Sequence, residues 1–165
     1  GVQTCALPIL NLKFNRSNMA INIRKSTEAD IPAIFLMLKE FTVFQKTPEK
    51  LLVTAQQMKE DKALFNCFVA EDTATSEMAG YACYSLIYYS WIGKALYLDD
   101  LYVRDNFRGQ NIGTLLMNSV IEFAKENNCR KMRWQVSGWN NSAQAFYRKL
   151  GAEIDDTEIN CDLVF

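Results

Sequence analysis

Ile21 and Ile23 alternate with polar neighbours, which predicts a short strand at the start of the folded chain. The apolar spacing then changes to that of a helix, with Ile31, Ile34, Phe35 and Leu38 on one face. Thr27 and Asp30 stand at the spacing of an N-terminal cap, and Pro32 makes the first turn irregular. Residues 44–53 read as a loop. Thr54 and Gln57 have capping-box spacing and open a second short helix through about Glu60. Three runs rich in aromatic and β-branched residues follow, at 67–71, 78–89 and 95–104, with turns at 72–76 and 90–94. Residues 112–127 return to helical spacing, with Leu116, Val120 and Phe123/Ala124 as one apolar stripe. A strand at 131–136 precedes a helix capped by Asn140 or Asn141, which ends at Leu150 and stops at Gly151. Residues 159–165 are expected to form a last strand.

The order is strand, two helices, three antiparallel strands, helix, strand, helix, strand. This is a mixed α/β class, with α+β character in its sheet, and one domain over residues 19–165. Residues 1–18 carry neither periodicity nor a good cap, and their opening GVQTCALPI resembles translated adapter sequence. They read as a non-native or disordered leader.

With 49% apolar residues among 165, a packed core is expected. Lys+Arg 18 against Asp+Glu 19 lacks the basic excess of a nucleic-acid binder. No apolar run approaches the roughly 20 residues of a membrane span. The five cysteines are scattered, without a CxxC pair, so neither a zinc site nor a disulfide framework is indicated and a cytoplasmic setting is expected. The chain has no histidine, which removes Ser-His and Cys-His mechanisms and leaves proton transfer to Asp, Glu, Lys, Tyr, Cys or water.

The most informative stretch is 101–114, where a strand enters a glycine-bearing turn and then a helix. The first turn of such a helix presents unpaired N–H groups to an anion at the positive end of the macrodipole. Gly109 and Gly113 keep a Cβ out of the way. Arg108, Gly109, Gln110, Asn111, Ile112, Gly113 and Thr114 resemble the Arg-x-x-Gly-x-Gly pyrophosphate loop of the GNAT family of N-acetyltransferases. Asn111 replaces the middle glycine, and asparagine tolerates the left-handed conformation better than other side chains. Residues 140–152, with Asn140, Ala143, Phe146, Tyr147 and Gly151, resemble the family's late helix. Trp91-Ile92-Gly93-Lys94 and Leu96-Tyr97-Leu98-Asp99-Asp100 are most similar to its diamine acetyltransferase branch.

The resemblance implies a GNAT acyl-CoA N-acyltransferase fold, a mostly antiparallel sheet with splayed strands flanked by helices. It implies acetyl-CoA as co-substrate, no metal, a small-molecule amine acceptor and a homodimer. Asp99 and Asp100 are adjacent acids, which a regular strand would point to opposite faces; a β-bulge removes that conflict. The resemblance implies such a bulge. It also implies backbone pairing of the pantetheine arm with Leu101, Tyr102 and Val103, and contacts to the cofactor from Asn140, Ser142, Ala143, Tyr147 and Lys149. Asp99 would carry the amine's proton away, directly or through water. Tyr147, on one helical face with Ala143 and Leu150, would protonate the leaving thiolate. Asp99, Asp100, Arg133, Trp134 and Gln135 would line the acceptor, and Trp91, Trp134 or Trp139 can offer a cation an aromatic face. Arg133 suits an acceptor that bears a carboxylate. Tyr89 stands where the diamine branch carries an acid, and the tail acids Asp155, Asp156 and Glu158 are the candidates to compensate. The acceptor is thus a polyamine, a diamine or a lysine-like amino acid. Two alternatives stay open: a protein or peptide N-acetyltransferase, and a non-catalytic CoA-binding regulatory domain.

Overall fold

The computed structural model describes residues 20–157 and 160–163; the expected leader, Glu158, and residues 159, 164 and 165 of the expected last strand lie outside the described residues. The chain separates into two compact units, Gly1–Met132 and Arg133–Phe165.

In the first unit, strands β1 (Ile21–Lys25), β2 (Asn66–Asp72), β3 (Glu77–Tyr89) and β4 (Gly93–Val103) form an antiparallel meander. Strand β5 (Lys131–Arg133) follows β4 in the sheet order. Its approach is fixed by the Arg130 amide, which donates to the Lys94 carbonyl at 2.9 Å. It is three residues long against eleven in β4, and shorter than the 131–136 strand that the sequence predicts.

Both predicted helix starts form as their capping residues dictate. The Thr27 amide and hydroxyl donate to Asp30 Oδ2 at 2.7 and 3.0 Å over a 3-10 turn, Glu28–Asp30, and helix α1 (Ile31–Phe44) continues from it. Asp30 also accepts a two-pronged bond from Arg24, at 2.8 Å on each oxygen, while Arg24 Nε reaches Glu71 at 2.8 Å. This ties the helix start to β1 and β2. Helix α2 (Ala55–Glu60) has reciprocal bonds between Thr54 and Gln57.

Ile31, Ile34 and Met37 of α1 and Met58 of α2 cover Cys67, Val69, Tyr81, Cys83 and Tyr102 on one face of the sheet. Helix α3 (Ile112–Glu126) packs on the strands with Ile112, Leu116, Met117, Val120 and Ala124 buried. Its Phe123 ring lies 4.9 Å from that of Tyr84, whose side chain points away from the α1 face. Gly80 of β3 is required where the strand lies against β4: a Cβ there would stand 2.5 Å from the Tyr102 carbonyl oxygen.

The second unit holds helix α4 (Asn141–Lys149). Asn140 caps it, its Oδ1 accepting from the Ala143 amide at 3.1 Å, and Gly151 leaves it with φ +84°. Residues 160–163 are exposed and form no strand, so the described part of the predicted last strand is irregular.

Candidate active site

In the first unit, strand β4, a turn and α3 bring most of the predicted residues together. β4 pairs with β3 in register from Gly93 to Leu98, with Leu98 opposite Tyr84. The next pair is Asp100 with Cys83, so Asp99 is an extra residue and the expected bulge is present. Beyond it, Leu101, Tyr102 and Val103 pair with Ala82, Tyr81 and Gly80 on one edge.

The turn closes through a 3-10 segment, Asp105–Phe107, with Phe107 buried. Arg108 holds it from outside. Its Nε donates to the Val103 carbonyl at 3.0 Å, it pairs with Asp105 at 2.9 Å, and its guanidinium lies 4.7 Å from the centre of the Phe44 ring. Gly109 has φ +76°, and Asn111 is left-handed at φ 64°, as its place in the loop demands. Asn111 is the N-cap of α3 but its side chain makes no capping bond. The first helical bond runs from the Leu115 amide to the Asn111 carbonyl at 3.0 Å. The amides of residues 109–114 therefore have no protein partner among the described residues. Six consecutive donors beside the positive end of a fifteen-residue helix make an anion cradle. A Cβ on Gly109 would meet nothing within 4 Å, so its glycine serves the backbone conformation; Gly113 has only Val103 within reach, at 3.9 Å.

The two acids at the bulge differ in their surroundings. Asp99 is exposed, and partial desolvation still raises its carboxyl above the ordinary range. Asp100 is half-buried and accepts the Tyr81 hydroxyl on Oδ2 at 3.2 Å. Burial first, then the charge of Asp99, push its carboxyl up to about 7, against the lowering effect of the Tyr81 bond. Tyr81 is fully buried, and burial together with Asp100 raises its phenol far above 10. Nothing in the local sequence singles out Tyr81; only the hairpin register places it beside Asp100.

In the second unit, Tyr147 is buried, as its helical face predicts, and Ala143 and Leu150 are half-buried. Its ring lies 5.2 Å from that of Trp134 and 5.3 Å from that of Phe146. Ser142 and Lys149 are exposed on α4, Gln135 is exposed, and Arg133 is half-buried at the end of β5. Trp91 is 98% exposed at the β3–β4 turn, and Trp139 is 50% exposed. Among the tail acids, Asp155 accepts from the Thr157 amide and hydroxyl at 2.9 and 2.6 Å, which makes it a turn residue.

A helix-start anion cradle at the end of a bulged strand defines a class, and the sequence agrees: residues 31–152 match the Acetyltransferase (GNAT) family, and the chain belongs to that family. It is an acetyltransferase. Among its relatives is the thialysine N-epsilon-acetyltransferase of Sus scrofa, 32% identical over 143 residues, which cover 81% of this chain and 84% of the relative. The spermidine/spermine N(1)-acetyltransferase-like protein 1 of Homo sapiens is 30% identical over 139 residues, covering 79% of this chain and 20% of that protein. The fold is shared with an aminoglycoside acetyltransferase from an uncultured soil metagenomic sample, solved in complex with trehalose. That likeness has a TM-score of 0.74 at 19% identity and covers 87% of this chain and 97% of the other.

Proposed function

We propose that this chain transfers acetyl from acetyl-CoA to the primary amine of a small molecule, with a lysine-like amino acid as the favoured acceptor and a polyamine or diamine as the other. The observation that carries this reading is the run of unpartnered amides at 109–114. A diphosphate accepts several such bonds at once, and the helix dipole favours its charge. The edge of β4 that carries the Leu101, Tyr102 and Val103 backbone groups suits the amide-bearing pantetheine arm, which would add as a strand does. Arg108 is already committed to Val103, Asp105 and Phe44, so its role is to hold the turn.

The acceptor arrives as an ammonium with a pKa of about 10.4 and must lose a proton before its nitrogen can attack. The Asp99–Asp100 pair supplies the route, Asp99 being the first carboxylate that a solvent-borne cation meets. Attack on the thioester carbon gives a tetrahedral intermediate, whose collapse expels the CoA thiolate. Tyr147 donates the proton: a thiol near pKa 8.5 and a phenol near 10 make that transfer only slightly uphill. The lysine-like acceptor is supported by the thialysine acetyltransferase relatives, by Arg133 as a partner for a carboxylate, and by Tyr89 in place of an acid. No helix among the described residues is long and apolar enough to cross a membrane. A cytoplasmic homodimer completes the reading.

An acetyl-CoA assay against thialysine, lysine, spermidine, putrescine and a peptide tests it. Thialysine or lysine should be acetylated fastest. Tyr147→Phe should lower kcat by about 10²- to 10⁴-fold with acetyl-CoA affinity unchanged. Failure of wild type to bind acetyl-CoA refutes the proposal, and binding without turnover of any amine converts it to a regulatory domain.

A further inference from the structure

The bulge separates the duties of two neighbouring acids. Asp100 stands opposite Cys83, on the sheet face that α1 and α2 cover. Tyr81 pins its Oδ2 at 3.2 Å, and Oδ1 has no partner among the described residues. Asp99 is its exposed neighbour, turned out by the extra residue. We propose that Asp100 is the carboxylate that finally accepts the ammonium proton, on Oδ1, and that Tyr81 is the positioning residue that orients it. This deepens the acetyltransferase reading above and rests on it.

The step balances without a co-reactant. An N–H bond of the ammonium breaks and an O–H bond forms on Asp100, directly or through one water held by Asp99. The electron pair left on nitrogen attacks the thioester carbon. A base works best when its own proton affinity lies near the working pH. The groups around Asp100 act in both directions. Burial and then the like charge of Asp99 on β4 raise its proton affinity, the bond from the Tyr81 phenol on β3 lowers it, and Cys83 of β3 and Cys67 of β2 share its sheet face. Residues of α1 and α2 in this cluster, Ile31, Ile34, Met37 and Met58, carry no charge. Cys83 is itself held as a neutral thiol, first by its bond with Cys67 and then by burial. The net effect, led by burial and then by the charge of Asp99, pushes the Asp100 carboxyl up to about 7. Taking a proton from an amine of pKa about 10.4 is then uphill by about three powers of ten, rather than more than six for an ordinary aspartate.

The test is the pH dependence of kcat/KM for wild type, Asp99→Asn, Asp100→Asn and Tyr81→Phe, with thialysine and with spermidine as acceptors. Wild type should show an acidic limb near pH 7. Asp100→Asn should lose about 10²- to 10⁴-fold in kcat/KM, and with it the limb. Asp99→Asn removes the like charge, so the limb should persist and move to lower pH. Tyr81→Phe removes a donor to the carboxylate, so the limb should move to higher pH with the ring still in place. A limb that survives in Asp100→Asn, or that vanishes in Asp99→Asn, overturns the assignment. A second readout needs no turnover: carbon-13 NMR of carboxyl-labelled aspartate should report one carboxyl near 7, absent in Asp100→Asn and displaced in opposite directions in the other two variants. If wild type acetylates no amine, the acetyltransferase reading falls, while this titration still decides whether Tyr81 and Asp99 govern Asp100. An Asp100 carboxyl that titrates in the ordinary range refutes the inference alone.

Discussion

Asp100→Asn should make the protein more stable at neutral pH even as it becomes a poorer enzyme. The carboxyl of Asp100 titrates at about 7 in the folded chain and at 3.8 when unperturbed. The sign follows from which state binds the proton. Below 3.8 both states are protonated and the residue contributes nothing. As pH rises from 3.8 to 7 the unfolded chain ionises freely while the folded chain resists, so stability falls, and above 7 the loss is complete. Three pH units at about 1.4 kcal/mol each give a ceiling of about 4 kcal/mol. Solvent reaches part of the residue, and a buried asparagine has its own desolvation cost, so about 2 kcal/mol is the expected gain. For a chain of this size that raises Tm by about 4–8 °C at pH 8, with no gain at pH 3.5. Differential scanning calorimetry from pH 3.5 to 8 measures both ends. A gain independent of pH, or a lower Tm at pH 8, would show that the carboxylate is not held against its own ionisation. The gain and the loss of activity would then be two readings of one strained group.

Asp30 should behave in the opposite sense. Its bonds to Arg24 hold its carboxyl at about 2, so it contributes about 2 kcal/mol above pH 4 that is lost as pH falls through 2, and Asp30→Asn should cost that much in urea unfolding at pH 7 but only a small fraction of it at pH 2. Gly80→Ala should destabilise by about 1–3 kcal/mol, because the Cβ meets the Tyr102 carbonyl at 2.5 Å and backbone must move; an unchanged melting curve would contradict it. Asn111→Gly should relieve the left-handed backbone, raise stability by up to about 1 kcal/mol and leave acetyl-CoA affinity unchanged by calorimetry, whereas Asn111→Val should lower both.

The loop was legible because its chemistry is local. A glycine and an asparagine that must adopt positive φ, followed by helical spacing, specify the turn without any distant contact. The caps at Thr27 and Thr54 were legible for the same reason: each satisfies backbone groups within four residues. Long-range partners were not. Nothing in the sequence tells that Arg24 joins Asp30 to Glu71, or that Arg108 turns back onto Val103 and Phe44. The strand expected at 131–136 stops at Arg133, and Gln144 instead takes the Ser137 and Gly138 carbonyls of the segment that follows, at 3.3 and 3.0 Å. Alternating side chains alone do not reveal where ladder bonds end.

The pairing of Tyr81 with Asp100 shows how a local irregularity sets a distant contact. Before the bulge, Leu96 and Leu98 stand opposite Leu86 and Tyr84, on the face away from α1. Strict alternation would carry Asp100 to that same face, away from Tyr81 and among Leu86, Leu96 and Leu98. The extra residue at Asp99 reverses the phase, so that Asp100 and Tyr102 stand opposite Cys83 and Tyr81. One inserted position therefore does three things at once. It exposes Asp99, it brings Asp100 to a phenol nineteen residues away in sequence, and it sets the faces of β4 residues 101–103 before the chain enters the amide-lined turn. Deleting Asp99 should consequently impair acetyl-CoA binding as well as proton transfer, while Asp99→Asn, which keeps the bulge, should spare the binding.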